Sequence, residues 1–206
     1  MILKYYWWYF QKILPASLCK EIIEYALSKN KTLQATIGVT EKNKEVADQN
    51  SIKQIRDSKI IWLNDKWLFN KLIKIVQKAN VEANWNFNLS YPEDIQFTIY
   101  EKGMHYGWHC DEWEEPYSDK VNDKRLIGKT RKLSLSCLLN NFEEFRGGDL
   151  EFDYRNKSIT NIETIYNMQN AGDVVVFPSN LWHRVRPVTH GVRYSLVMWT
   201  CGDPYK

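Results

Sequence analysis

Two histidines and one aspartate carry the first chemical signal in this chain. His109-Cys110-Asp111 is a His-x-Asp triplet, and His183 stands far downstream, ten residues ahead of Arg193. On an extended segment His109 and Asp111 share a face, because strand side chains repeat every two residues. Two imidazoles and a carboxylate suit ferrous iron, filling three positions of an octahedral centre and leaving three open. Alone, the triplet reads equally well as a polar strand edge. His105 lies an even number of residues before His109 and is a rival ligand. Glu112, Glu114 and Glu115 could add ligands or bind a cationic group, or simply belong to an exposed loop running on to Lys129. Cys110 points away from the pair on an extended segment and reads as packing.

The triplet has company. Tyr100-x-x-Gly103-x-x-Tyr106-x-x-His109-x-Asp111 is followed by Gly147-Gly148-Asp149-Leu150. Then comes a run from Phe177-Pro178 through Trp182-His183 and Pro187 to Gly191-x-Arg193-Tyr194-Ser195. In this order the motifs resemble the prolyl 4-hydroxylase-like branch of the iron(II)/2-oxoglutarate dioxygenases, most nearly the bacterial PKHD-type hydroxylases, over roughly residues 95–200.

The resemblance implies Fe(II) on His109, Asp111 and His183, with molecular oxygen and 2-oxoglutarate as cosubstrates and ascorbate as a candidate accessory reductant. It places the far carboxylate of 2-oxoglutarate on Arg193, whose planar fork can hold a carboxylate by two bonds. Ser195 would add a hydroxyl from the same strand face, and Tyr100 a further hydrogen bond. A surface strand arginine is the plain alternative for Arg193. Its neighbours Val192, Leu196, Val197, Met198 and Trp199 are apolar, and a buried strand seldom keeps an unpaired cation. Trp108, Trp113 and Trp182 flank the ligands and are candidates for the cleft wall. Arg184 and Arg186 could guide an acidic partner to its mouth.

The implied reaction is hydroxylation of a protein or peptide side chain, proline first, with succinate and carbon dioxide as coproducts. A free amino acid or other small molecule, a nucleic-acid base, or a non-catalytic scaffold are the other readings; the intact triad speaks against the scaffold. The demethylating dioxygenases carry a second arginine in an Arg-x-Asn-x-Thr-x-Arg pattern, whereas the run starting at Arg193 ends in Trp199. The chain stops seven residues after Trp199, short of the C-terminal segment typical of the PKHD-type group, so its partner or oligomer surface is expected to differ.

The elements that must position these residues are legible in part. An aromatic strand opens the chain at residues 1–10. Pro15 starts a helix with Leu18, Ile22, Tyr25 and Ala26 on one face, ending near Lys29-Asn30. Residues 31–58 are polar, with a strand conceivable around Gly38. From Glu41 to Asp57 the default is a solvated loop, with a substrate lid as the other reading. A short strand spans 59–63. Asn64-Asp65 offers an N-cap to a second helix carrying Leu68, Leu72, Ile75, Val76 and Ala79.

Strands follow at 95–100, into the triplet at 109–111, at 131–139, after Gly147-Gly148, and at 162–168, 173–177, 182–187 and 192–199. Along 131–139, Leu133, Leu135 and Cys137 share one face, and Ser134, Ser136 and Leu138 the other. Many short strands predict a mostly β fold with N-terminal helices, a sandwich or jelly roll. The resemblance makes it a double-stranded β-helix, cupin-like, with the helices against one sheet. The expectation is one domain over 1–206, with 1–90 as support and 91–206 as core.

Composition sets the outer bounds. The 206 residues are 44% hydrophobic, enough for a folded core, and include nine tryptophans and twelve tyrosines. A net charge of +3 with scattered lysines gives no electrostatic footprint for nucleic acid, which is not expected as a partner. Cys19, Cys110, Cys137 and Cys201 have no paired short spacing, which argues against a zinc ribbon or disulfide framework and for reduced thiols in the cytoplasm. Lys4 and Lys12 interrupt the apolar opening, which is neither a signal peptide nor long enough to span a membrane. The oligomeric state is left open.

Overall fold

The computed structural model describes residues 3–29, 31–35, 49–155 and 161–205, without the side chains of 49–51. Its strands are β1 Trp8–Phe10, β2 Leu33–Gln34, β3 Arg56–Asp57, β4 Lys59–Leu63, β5 Ile95–Tyr100, β6 His105–His109 and β7 Thr130–Leu138. They continue with β8 Phe145–Gly147, β9 Leu150–Asp153, β10 Ile162–Thr164, β11 Val174–Pro178, β12 Trp182–Val185, β13 Val188–Gly191 and β14 Arg193–Gly202. The helices are α1 Ala16–Ser28, α2 Gln49–Ile55 and α3 Lys66–Glu82. The strands form a seven-stranded sheet in the order β1-β11-β7-β14-β5-β4-β2, a five-stranded sheet β10-β9-β12-β6-β3, and a β13-β8 ribbon. This mostly β, antiparallel jelly roll with helices near its N-terminus is the fold class that the strand pattern predicts.

Strand β7 shows how sequence builds the layers. Leu133, Leu135 and Cys137 point to one side and join a core with Cys19, Ile22 and Ala26 of α1 and Leu68, Leu72, Val76 and Ala79 of α3. Leu138 points to the other side and packs with Phe152 and Phe177 between the two large sheets. The period of two thus puts the helices outside and the inter-sheet space inside. Each fully buried aliphatic side chain adds roughly 1.5–3 kcal/mol, so this two-sided burial dominates the fold.

Helix α1 follows Pro15, whose φ of −60° is already set for a first turn. Asp65 is the N-cap residue of α3 but makes no side-chain capping bond. Its carboxylate instead accepts from the Tyr25 hydroxyl at 2.6 Å and lies 3.9 Å from Lys29 Nζ, tying α3 to the end of α1.

Several elements depart from the pattern. The aromatic opening is a strand only at Trp8–Phe10, where it pairs with β11. The expected strand at Gly38 and the first part of the expected loop, 41–48, lie outside the described residues. The rest of that loop is α2 followed by β3, which pairs with β6 at Arg56↔Tyr106. The strand read at 162–168 stops at Thr164 and gives way to a turn. Pro187 cannot donate a ladder bond, and the segment around it divides into β12 and β13, the latter pairing with β8. No helix among the described residues is long and apolar enough to cross a membrane.

One turn is fixed by glycine alone. Gly172, at φ +87°, leads into β11, and a Cβ there would sit 1.9 Å from the carbonyl oxygen of Leu14. Gly172→Ala is therefore expected to destabilise the protein by about 1–3 kcal/mol. Urea unfolding should show a lowered midpoint at unchanged m-value; an unchanged midpoint would contradict the close approach.

Candidate metal centre

Neighbouring strands bring the two histidines together. In the β12–β6 pair His183 lies opposite His109, and their ring centroids are 4.1 Å apart. The sequence pattern predicts Asp111 on the same strand as His109, but β6 ends at His109. Asp111 sits in the turn beyond, where its N–H and that of Glu112 both donate to the Ser179 carbonyl, at 2.8 and 2.9 Å. The turn still delivers the carboxylate: Oδ1 is 3.7 Å from His109 Nε2 and Oδ2 is 3.5 Å from His183 Nε2. Ligand atoms from the three residues all lie within 4.8 Å of one another.

Hydrogen bonds on the far side of each ring fix its tautomer. His109 Nδ1 is 2.8 Å from the Gly107 carbonyl, and His183 Nδ1 is 2.9 Å from that of Leu181. A carbonyl only accepts, so each Nδ1 carries a hydrogen, and in the neutral ring Nε2 is the lone-pair atom, turned towards Asp111. Burial, reinforced by the neighbouring His183, pushes His109 down from its ordinary 6.5 to about 3. Burial alone would raise Asp111, but His183, His109, Arg131 and the Ser134 hydroxyl outweigh it and hold the carboxyl below its usual range. With both rings neutral, three electron-pair donors converge on one point, an arrangement that fits a cation between them. Nitrogen and oxygen donors without thiolate fit ferrous iron.

The group opens onto a cavity of about 390 Å³ between the two large sheets. Its walls include Tyr100, Tyr106, Trp113, Trp199, Arg56 and Arg131. The Tyr106 ring lies flat on the His109 imidazole, centroids 3.5 Å apart, with the Arg56 guanidinium 4.4 Å from the Tyr106 ring centroid. Arg131 holds Glu93 by two bonds of 2.6 and 2.7 Å, donates to the Asp111 carbonyl at 3.3 Å, and stacks 3.9 Å from the Trp199 ring centroid.

Arg193, Ser195 and Tyr100 are also brought together. Arg193 lies opposite Tyr100 in the β14–β5 pair, donates to Ser195 Oγ at 3.0 Å, and sits 5.6 Å from the Tyr100 ring centroid. It is 3% exposed, and burial lowers its pKa. Among the described residues no carboxylate lies within ion-pair distance of it. Gly148, at φ +68°, makes room for it, since a Cβ there would meet Arg193 Cδ at 2.8 Å. Arg193 does not line the large cavity. It borders a small hollow beside Gly148 and Asp149 that shares Leu150 with the cavity wall.

The structure also sorts the remaining sequence candidates. His105 is outside the group; its Nε2 is 3.1 Å from the Gln54 carbonyl, which ties β6 to α2. Glu112, Glu114 and Glu115 are outside it too. Cys110 lines the cavity rather than packing away from it. Of the three flanking tryptophans only Trp113 lines the cavity; Trp108 and Trp182 lie under Arg184 and Arg155, at 4.6 and 3.9 Å. Arg184 is turned to the buried Glu151 at 2.6 Å and engaged within the fold, while Arg186 lies 3.6 Å from the same carboxylate with its side chain still about half exposed.

Sequence reasoning passed over Arg131 for a physical reason. Strict alternation puts Arg131 on the helix-facing side with Leu133, but the β7–β14 register shifts between Thr200 and Cys201. This irregularity lies between Leu133 and Arg131 on β7, and a bulge there turns Arg131 to the cavity. Arg56 carried no signal, standing at the end of a charged stretch.

The family model of the 2OG-Fe(II) oxygenases matches residues 95–201, more than half of the chain and the part that carries the triad. The chain belongs to the 2OG-Fe(II) oxygenase superfamily. Within it, a PKHD-type hydroxylase of Synechococcus sp. (strain JA-2-3B'a(2-13)) is 31% identical over 136 residues, covering 64% of this chain and 55% of the relative. Another PKHD-type hydroxylase, from Psychrobacter sp. (strain PRwf-1), is 35% identical over 105 residues, 50% of this chain and 36% of the relative. The chain thus spans about half the length of the first of these curated relatives, and less of the second. A Pseudomonas putida prolyl-4-hydroxylase superposes with a TM-score of 0.65 at 19% identity, covering 96% of this chain and 92% of that one. A viral collagen prolyl hydroxylase from Paramecium Bursaria Chlorella virus-1, in a 2OG complex, gives 0.64 at 17% identity with 97% of each chain covered. At such identities these two likenesses are of fold.

The electrostatics of this site set a pH dependence. An imidazole held at about 3 resists protonation in the folded chain, whereas the unfolded chain takes up that proton below about 6.5. Stability of the metal-free protein should therefore fall as pH drops from about 6.5 towards 3, with Asp111 acting in the same direction at the acid end. Thermal melts across this range should show the decline, and His109→Asn should flatten it. An equal slope in that variant would contradict the assignment.

Proposed function

We propose that the chain is an iron(II)- and 2-oxoglutarate-dependent dioxygenase that hydroxylates a protein or peptide side chain, with proline the first residue to test. The observation that carries this reading is the convergence of His109, Asp111 and His183 donor atoms within 4.8 Å at one cavity. The names of the relatives support the hydroxylase class, and the prolyl hydroxylases of the same fold support the choice of proline. In this reading residues 1–206 act as one domain, 1–90 supporting the β core that carries the chemistry.

His109, Asp111 and His183 would hold the iron. Iron so held, with 2-oxoglutarate, supplies oxygen activation coupled to decarboxylation of the cosubstrate to succinate and carbon dioxide. Arg193 would bind the far carboxylate of 2-oxoglutarate and so gain the counter-charge that its buried position lacks. Ser195 adds a hydroxyl at the same place. Burial raises the pKa of Tyr100, which keeps its phenol protonated as a further donor. Trp113, Trp199 and Tyr106 give the cavity flat apolar walls suited to an aliphatic ring. Their bulk, with the sheets on both sides, excludes water from the reacting carbon.

Two measurements test this. With Fe(II), 2-oxoglutarate and proline-rich peptides, the protein should form succinate and add the mass of one oxygen atom to peptide; oxidised oligonucleotides with untouched peptides would reverse the substrate reading. Arg193→Ala should raise the KM for 2-oxoglutarate by about 10–100-fold, the loss of a charge-assisted pair, while metal affinity is kept. An unchanged KM would remove Arg193 from the cosubstrate site.

A further inference from the structure

The two oxygens of Asp111 are treated differently. Oδ2 accepts from Ser134 Oγ at 2.7 Å, and Ser134 Oγ lies 2.9 Å from Ser179 Oγ. Each hydroxyl has a single hydrogen. Ser134 gives its own to the carboxylate, so Ser179 must be the donor to Ser134. The chain of hydrogen bonds therefore runs one way, from Ser179 through Ser134 to Asp111 Oδ2. Oδ1 faces His109 Nε2 at 3.7 Å, as Oδ2 faces His183 Nε2 at 3.5 Å, but Oδ1 has no hydrogen-bond donor among the described residues.

Both serines are buried, Ser134 at 0% and Ser179 at 1% exposure, so water does not compete for these bonds. Ser179 is also held by its main chain. Its carbonyl accepts from Asp111 and Glu112, and its N–H donates to the Lys132 carbonyl at 3.0 Å. It follows the last residue of β11 and precedes His183 by four positions. One residue thus touches the turn that carries the carboxylate and the segment that leads to the second imidazole. Ser134 reaches the same point from β7, on the face opposite Leu133 and Leu135.

We propose that the Ser179–Ser134 pair is a positioning device that occupies Oδ2 and presents Oδ1 of Asp111 as the single ligating oxygen. This rests on the metal reading above and adds to it. A carboxylate bound through both oxygens takes two octahedral positions, which with two imidazoles leaves too few for a chelating 2-oxo acid and oxygen together. A hydroxyl fixed on Oδ2 pins the carboxylate plane and draws charge from that oxygen, which keeps the third position free. Hydrogen-bonded neighbours of this kind commonly control ligand orientation in metal sites.

The test uses the full chain with Mn(II) for affinity and Co(II) for its visible spectrum, which reports coordination. Ser134→Ala should weaken Mn(II) binding by about 10–100-fold and alter the Co(II) spectrum. Ser134→Thr, which keeps the hydroxyl, should bind and absorb like the unchanged chain. Ser179→Ala, one bond further away, should show a smaller loss in the same direction, and it decides the matter if Ser134→Ala does not fold. Mn(II) affinity and a Co(II) spectrum unchanged in folded Ser134→Ala would overturn the proposal, as would a Thr variant as weak as the Ala one. His109→Ala separates the two levels: if it binds Mn(II) as tightly as the unchanged chain, the metal reading itself falls and the relay with it.

Discussion

The pairing of His183 with His109 across β12 and β6 is the constraint on which the site depends. Side chains on a strand alternate, so a slip of one residue would turn one imidazole to the opposite face of the sheet. The register is held from both sides. β12 is also paired with β9, where Arg184 lies opposite Glu151 and meets it in a 2.6 Å ion pair. The buried Glu151 therefore marks the register in which His183 faces the cavity. A site built on paired strands is stiffer than one built on loops, and here only the carboxylate comes from a turn.

The second condition is electrostatic. The inter-sheet space holds Asp111 with Arg56 and Arg131 in the cavity wall and Arg193 beside the neighbouring hollow. Arg131 is neutralised by Glu93 and braces the Asp111 carbonyl, so its charge supports the ligand without claiming the cavity. Arg193, by contrast, is buried with a hydroxyl; Asp149 acts on it from across the small hollow, but among the described residues no carboxylate comes within ion-pair distance. A guanidinium in that position costs stability unless an anion joins it, which is why its surroundings read as a binding site. The flat contact of Tyr106 on His109 excludes water from one side of the ring.

Much of this was legible in the chain, and the parts that were not share a cause. The period of two along residues 131–139 separated the helix-facing Leu133, Leu135 and Cys137 from the inward Leu138, and that division is the layer structure of the fold. The motif order pointed to His109, Asp111 and His183 and to the family. Alternation misled wherever backbone geometry leaves the regular strand. Asp111 sits past the end of β6, so its meeting with His109 comes from a turn tied to Ser179 rather than from a shared strand face. That same turn brings Cys110 to the cavity. A register shift carried Arg131 across the sheet. Helix α2 was hidden because its seven residues hold too few apolar side chains to show a period. Arg184 and Arg186 looked free in the sequence because their partner, Glu151, is distant along the chain and near only in space.

The most direct measurement of the central claim is anomalous diffraction at the iron edge from crystals grown without oxygen in Fe(II) and 2-oxoglutarate. One iron peak is expected, bonded to Nε2 of His109, Nε2 of His183 and Oδ1 of Asp111, with the far carboxylate of 2-oxoglutarate on Arg193. An iron peak elsewhere, or no peak between those three residues, would contradict it.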